Sequence, residues 1–221
     1  MLIAIDGPSG AGKGTVARAL ATQLQFRHVD TGAMYRAVAW LAMSKGVALT
    51  DATALTDLAR TSTFELSTTV AVDGHDVTSA IRTPDMDAAA AAVARIPELR
   101  VALVERQRQM GAEGRVVMEG RDIGSVVFPD APVKIYLDAT PEERARRRAL
   151  DPAHAAGKAG ASPVAVGQVA QQLAARDESD RTRTASPLTK AEDAVYIDTT
   201  GLPIDTVVAT VLDIARQRLG L

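Results

Sequence analysis

The chain of 221 residues has no cysteine and only three histidines, His28, His75 and His154, scattered far apart. Disulfides and thiolate metal sites are excluded, and no His-rich metal motif can be composed. Long hydrophobic runs are also missing. The apolar start stops at Asp6, and no stretch approaches the ~18 apolar residues that a membrane span needs. Aromatic residues make up 3% of the chain and the formal net charge is −2, with an isoelectric point near 5.9. A broad basic field or an aromatic stacking surface for nucleic acid is therefore not expected. The expectation is a cytoplasmic monomer with no membrane or nucleic-acid partner. Its 47% hydrophobic content is enough to bury one full core.

What is present begins at the first apolar stretch. Positions 2–5 read as a buried strand, followed by Gly7-Pro8-Ser9-Gly10-Ala11-Gly12-Lys13-Gly14-Thr15. This is the spacing of a phosphate-binding loop. Glycines let backbone N–H groups turn inward around an anion, the next helix offers its positive end, and Lys13 reaches the outer phosphates. One position is unusual: the hydroxyl that ligates magnesium ordinarily directly follows the lysine, whereas here Gly14 intervenes and the hydroxyl is Thr15.

Further along, helical spacing appears over 13–25, a short strand over 26–29, and an apolar helix over 34–44 ended by Gly46. Alternation over 62–81 around the turn dipeptide Asp73-Gly74 predicts a small antiparallel insertion. The alanine run at 88–92 opens a long helix to about 110, broken at Pro97. Strands at 115–118 and 133–137 each deliver polar residues at their C-terminal ends, the edge where open parallel sheets bind ligands. Thr140-Pro141-Glu142-Glu143 starts a helix over 140–150. The Ala-, Gly- and Pro-rich segment 151–162 reads as a mobile loop, followed by a helix over 163–175, a strand over 195–197 and a helix over 204–219. Alternating strands and helices imply an α/β protein, a parallel sheet with helices on both faces.

A phosphate loop alone fits several machines. The chain lacks an Asn-Lys-x-Asp guanine reader and is too short for a motor or transporter subunit, which leaves a small kinase. Arginines are dense at Arg144, Arg146, Arg147 and Arg148, and again at Arg176, Arg181 and Arg183. An acceptor that is itself a phosphate must be held beside another anion, and that requires several arginines. Two other readings stay open from the residues alone. One is a kinase of a hydroxylated metabolite such as shikimate or gluconate; the other is a non-catalytic nucleotide sensor or RNA-associated switch. Asp122 reads alternatively as a cap of its loop, and Arg100 as a solvated helix residue beside Arg95, Arg106 and Arg108.

The combination of the loop with Asp30-Thr31-Gly32-Ala33-Met34-Tyr35-Arg36, Glu119-Gly120-Arg121-Asp122-Ile123-Gly124, Val127-Phe128-Pro129-Asp130-Ala131-Pro132 and Arg176-Asp177 through Asp180-Arg181-Thr182-Arg183 resembles the nucleoside monophosphate kinases, specifically the bacterial cytidylate kinases. The resemblance spans nearly the whole chain and includes the Gly14-Thr15 shift. It implies a phosphate-loop kinase domain over 1–221 with a five-stranded parallel core at about 1–60 and 111–221. A monophosphate-binding insertion would occupy about 61–110 and a lid about 149–183.

The resemblance also implies roles. ATP lies on Gly7, Pro8, Ser9, Gly10, Ala11, Gly12, Lys13, Gly14 and Thr15, and Arg144, Arg147 and Arg148 stand at the lid root, where closure brings some of them onto the ATP phosphates. CMP or dCMP meets Thr31, Tyr35, Arg36, Arg100, Arg121, Asp122, Arg176, Asp180 and Arg183, with Asp122 and Arg100 on the base and Asp180 and Arg176 on the ribose. Lys13, Arg121 and Arg183 are the implied catalytic residues. Magnesium accompanies ATP, with Thr15 its nearest side-chain donor and phosphates and water its main ligands. Two positions depart from the family pattern. Ala91 falls where a base-contacting Ser is frequent, and Glu119 where a shorter Asp is frequent.

Overall fold

The computed structural model describes residues 1–151 and 163–221. Its core is a five-stranded, wholly parallel sheet. The strands, in chain order, are β1 (Leu2–Asp6), β2 (Arg27–Asp30), β6 (Val116–Gly120), β7 (Val133–Asp138) and β8 (Val195–Asp198), arranged spatially as β2-β6-β1-β7-β8. β1 and β6 are buried at every residue, because helices cover both faces and a continuous apolar run is what such a strand needs. One face packs Ile3, Ile5, Val117 and Leu137 against α1 (Lys13–Leu24) and the C-terminal α8 (Ile204–Leu219). The other packs Ala4, Val29 and Met118 against Val104, Ile123 and Val127.

Helix starts follow side-chain capping. Asp30 accepts the N–H of Ala33 at 3.1 Å and starts α2 (Thr31–Ser44) at Thr31, earlier than the apolar pattern predicts. Asp51 does the same for α3 (Ala52–Thr61), which the sequence pattern left unassigned. Thr83 caps α4 (Pro84–Val93), and Thr140 caps α6 (Pro141–Leu150). Pro97 ends the alanine-rich helix and opens α5 (Pro97–Ala112), since proline has no N–H to continue the ladder.

Between α3 and α4 lies an antiparallel sheet of β3 (Phe64–Leu66), β4 (Val70–Val72) and β5 (His75–Asp76). Its hairpin turn has Asp73 at φ 49° and Gly74 at φ 78°, the pair of positive angles that a tight two-residue hairpin requires. A second core joins α2, α3, α4 and α5 through Met34, Leu55, Val93 and Leu99. α7 spans Pro163–Thr182, so it runs past the expected end at 175 and carries Arg176 and Asp180 on a helix. The segment expected as a mobile loop over 151–162 lies, from 152 on, outside the described residues.

Candidate active site

The loop between β1 and α1 is shaped by backbone. Gly7 has φ +145°, and a Cβ there would stand 1.9 Å from the carbonyl oxygen of Leu137 on β7, so only glycine fits. Gly10 and Gly12 also sit at positive φ, 81° and 90°. Gly12 starts α1 with no side-chain cap, unlike α2, α3, α4 and α6. The first-turn N–H groups, without partners inside the helix, therefore remain to meet an anion. Lys13 donates to the carbonyl of Pro8 at 2.7 Å across the loop. Burial, then the neighbouring Arg121, hold its ammonium well below the usual lysine range.

Gly14 has a local explanation. A Cβ at this position would lie 3.1 Å from Glu119 Oε1, whose carboxylate is fixed by His28 Nε2 at 2.9 Å. Thr15 is exposed at the start of α1.

Arg121 bridges the two halves of the site. It lies just past β6, donates to Ser9 Oγ at 2.7 Å in the loop, and donates from Nε to Asp180 at 2.9 Å on α7. Asp180 also accepts from Arg183 at 3.1 Å. Burial raises the Asp180 pKa, but Arg121, Arg183 and Arg176 outweigh it, and the carboxyl is held below its usual range. Deeper in the cleft, Arg100 donates to Asp122 at 2.6 Å, with both side chains buried and the guanidinium 5.2 Å above the Tyr35 ring. The loop bearing Asp122 is fixed by Asp6 at the end of β1, which accepts the N–H groups of Ile123 at 2.8 Å and Gly124 at 2.7 Å. Burial, only partly offset by these bonds, lifts the Asp6 pKa to about 6.

These residues surround one cavity of about 610 Å³. Every residue to which the resemblance gives a role lines it except Gly7 and Pro8, which form the base of the loop, and Arg144. Arg144 is the one of the three arginines expected at the lid root that does not line the cavity: it is buried, donates to Ala139 O and Ser9 O at 3.1 Å each and pairs with Asp177, so it braces the loop from behind. Arg147 reaches Thr199 Oγ1 at 2.8 Å and Glu143 at 2.8 Å, and Arg148 pairs with Asp87. Ala91 lines the wall with Ala90 and Ala94, giving that part of the cleft no polar side chain.

The sequence reading did not select Arg18, Arg82, Thr199 or the apolar shelf of Leu202, Ile204 and Val207, which also line the cavity. It named Asp177 within a motif but gave it no role, and its Oδ1 accepts the Ser9 N–H at 3.3 Å across 168 positions of chain. No local pattern reports such a pairing. Several buried donors in the cleft, Arg100 Nε, Arg176 Nε and Arg183 NH2, have no hydrogen-bond partner. The guanidiniums that line the cavity gather positive charge there, which suits an anionic ligand.

A phosphate loop at the C-terminal edge of a parallel sheet, facing a wall of arginines, makes this a phosphate-loop kinase with an anionic acceptor. The cytidylate kinase family model matches residues 3–217. The chain is 47% identical to a cytidylate kinase of Solibacter usitatus (strain Ellin6076), over 99% of this chain and 94% of that one. It is 49% identical to a cytidylate kinase of Pelotomaculum thermopropionicum, over 99% and 96% of the two chains. A solved structure of an uncharacterized protein from Eubacterium ventriosum shares the fold, with TM-score 0.53 at 14% identity over 96% of each chain. The chain belongs to the cytidylate kinase family.

Proposed function

We propose that the protein transfers the γ-phosphate of ATP to CMP or dCMP, giving CDP or dCDP and ADP. An oxygen of the acceptor phosphate attacks the γ-phosphorus in line, and the bond from that phosphorus to the β–γ bridging oxygen breaks as the new P–O bond forms. No covalent enzyme intermediate is required.

The observation that carries this reading is the Arg100–Asp122 pair at the floor of an arginine-walled cleft. Cytosine presents an exocyclic amino donor beside ring acceptors. A carboxylate and a guanidinium set side by side answer both. Arg36, Arg121 and Arg183 grip the acceptor phosphate beside Thr31 and Tyr35, while Arg176 and Asp180 face the ribose. On the donor side, the loop N–H groups and Lys13 hold the ATP phosphates, with Arg147 and Arg148 at the rim. The segment 61–110 serves as the acceptor insertion and 149–183 as the lid, whose closure keeps water from the γ-phosphate.

Magnesium fits as a companion of the nucleotide. Among the described residues, no three His, Asp or Glu side chains are grouped to hold a metal, and magnesium ordinarily keeps waters and binds through phosphates with one or two protein oxygens. The Thr15 hydroxyl and the Glu119 carboxylate, which lies beside Gly14, both line the cavity and would supply such oxygens. When bound, the ion would neutralise charge on the β- and γ-phosphates.

A coupled ADP assay with CMP, dCMP, UMP and AMP, and with shikimate and gluconate as hydroxyl acceptors, tests the assignment. Transfer to CMP and dCMP well above the others is expected. Preference for a hydroxylated metabolite would overturn it.

A further inference from the structure

Asp87 is not among the residues that the sequence singles out, and it does not line the cleft. It nevertheless gathers three arginines that do. Arg36 on α2 donates from Nε to Oδ1 at 3.0 Å, Arg176 on α7 donates from NH1 to the same oxygen at 3.0 Å, and Arg148 on α6 donates to Oδ2. These helices come from distant parts of the chain, and Asp87 is the acid on which the three converge. The three guanidiniums are 13–19% exposed, so water screens their mutual repulsion poorly. Its effect is visible at Arg176, where burial first and then Arg36 and Arg121 lower the pKa to about 10. Elsewhere in the cleft Arg100 pairs with Asp122, and Arg121 and Arg183 share Asp180.

Asp87 is itself well held. It lies in the first turn of α4, whose start is fixed by Thr83 and Pro84. From there its carboxylate meets three arginines that line the cavity, without lining it itself. Each guanidinium keeps further N–H groups, and a planar donor fork fixed at one edge is aimed at the other.

Resting on the kinase reading of the cleft, we infer that Asp87 is a positioning residue for phosphoryl transfer. Its carboxylate, outside the cavity lining, aligns Arg36 and Arg148 toward the substrate phosphates and Arg176 toward the acceptor ribose. Two simpler roles give different outcomes. A carboxylate acting only as a nearby negative charge would repel the nucleotides, so its removal would raise kcat/KM. One that only packed the fold would lower the melting temperature and leave the kinetics of the folded enzyme intact.

The test compares the full chain with Asp87→Asn, Asp87→Ala, Arg176→Ala and the Asp87→Asn/Arg176→Ala double variant, using ATP and CMP in a coupled ADP assay, with thermal melts by circular dichroism. Asp87→Asn keeps the shape and loses the charge. A fall in kcat/KM for CMP of about 10–100-fold is expected at temperatures where the variant is fully folded, since misaimed groups at a transfer site cost on this scale. Asp87→Ala extends the neighbouring alanine run in a strong helix former, and the same fall is expected should the Asn variant melt early. In the Arg176→Ala background the Asp87→Asn loss is expected to shrink several-fold, because the two act as one unit. Undiminished or raised kcat/KM in the folded Asp87 variants, or losses that multiply fully in the double variant, would overturn the assignment. Wild-type turnover measured alongside separates the outcomes. Absence of wild-type transfer to CMP sinks the kinase reading, whereas normal transfer by the Asp87 variants sinks only the role of Asp87.

Discussion

On the proposed assignment, the donor and acceptor sides of the cleft are made of different materials. The donor loop is one continuous stretch, held by backbone: Gly7 lies under Leu137 O, and Gly10 and Gly12 hold positive φ. The acceptor wall is assembled from side chains of α2, α5, α7 and the turn after β6. A backbone site fails sterically, when a Cβ intrudes. A side-chain site fails electrostatically, when a buried charge loses its partner, and the loss spreads to its neighbours. Arg121 joins the two by touching Ser9 and Asp180 together.

The largest expected effect is on the donor side. Lys13→Ala should reduce transfer by about 10³-fold or more, as expected when a charge at the transferring phosphates is removed, with the far-UV circular dichroism unchanged. Near-normal turnover would detach the loop from catalysis. On the acceptor side, Asp122→Ala should lower kcat/KM by about 10²-fold for CMP and distinctly less for UMP, because only cytosine offers the amino donor. It should also destabilise the fold by roughly 3–5 kcal/mol, since Arg100 is left buried and uncompensated. Equal kinetic losses for both nucleotides would mean that Asp122 does not read the base.

Asp6 sharpens the comparison by linking the sides through the fold. Its carboxyl is raised from 3.8 to about 6, so between these values the native state holds a proton that the unfolded chain has lost. The Asp6 contribution to stability therefore falls as pH rises from about 4 to about 6, by roughly 3 kcal/mol at most. Denaturant titrations of wild type and Asp6→Asn across this range should show the wild-type advantage shrinking with pH. A pH-independent difference would remove Asp6 as its source. The smallest effect is expected for Gly14→Ser. The new Cβ meets Glu119 Oε1 at 3.1 Å, the flexible end of a side chain restrained by His28. A loss in kcat/KM for ATP below about tenfold should follow, on the scale of mild overpacking. A gain would show that the crowding at Glu119 is not what keeps position 14 small.

Local chemistry was readable wherever it was contiguous. The apolar strands, the glycines of the loop, the Asp73-Gly74 turn and the Pro97 break all depend on residues a few positions apart. α3 was left unassigned although Leu55, Thr56 and Ala59 share its buried face, because ten residues give fewer than three turns in which to read the pattern. The end of α7 was hidden for a different reason. Arg176, Asp177, Asp180 and Arg183 carry no apolar spacing that would extend a helix past 175, and Asp177 and Asp180 are buried against arginines far away in the chain.

By itself the sequence determined the parallel α/β class, the phosphate loop and, through the resemblance carried by its spaced motifs, the kinase family. Those depend on steric and hydrogen-bonding rules that act within a few residues. Only the tertiary structure decided which arginine faces the cleft and which braces it, because that depends on the acid each one meets. Arg144 and Arg148 lie on the same helix, but Asp177 holds the first behind the loop and Asp87 holds the second at the cavity wall. Buried charges must be paired, and their partners are set by folding rather than by proximity in the chain.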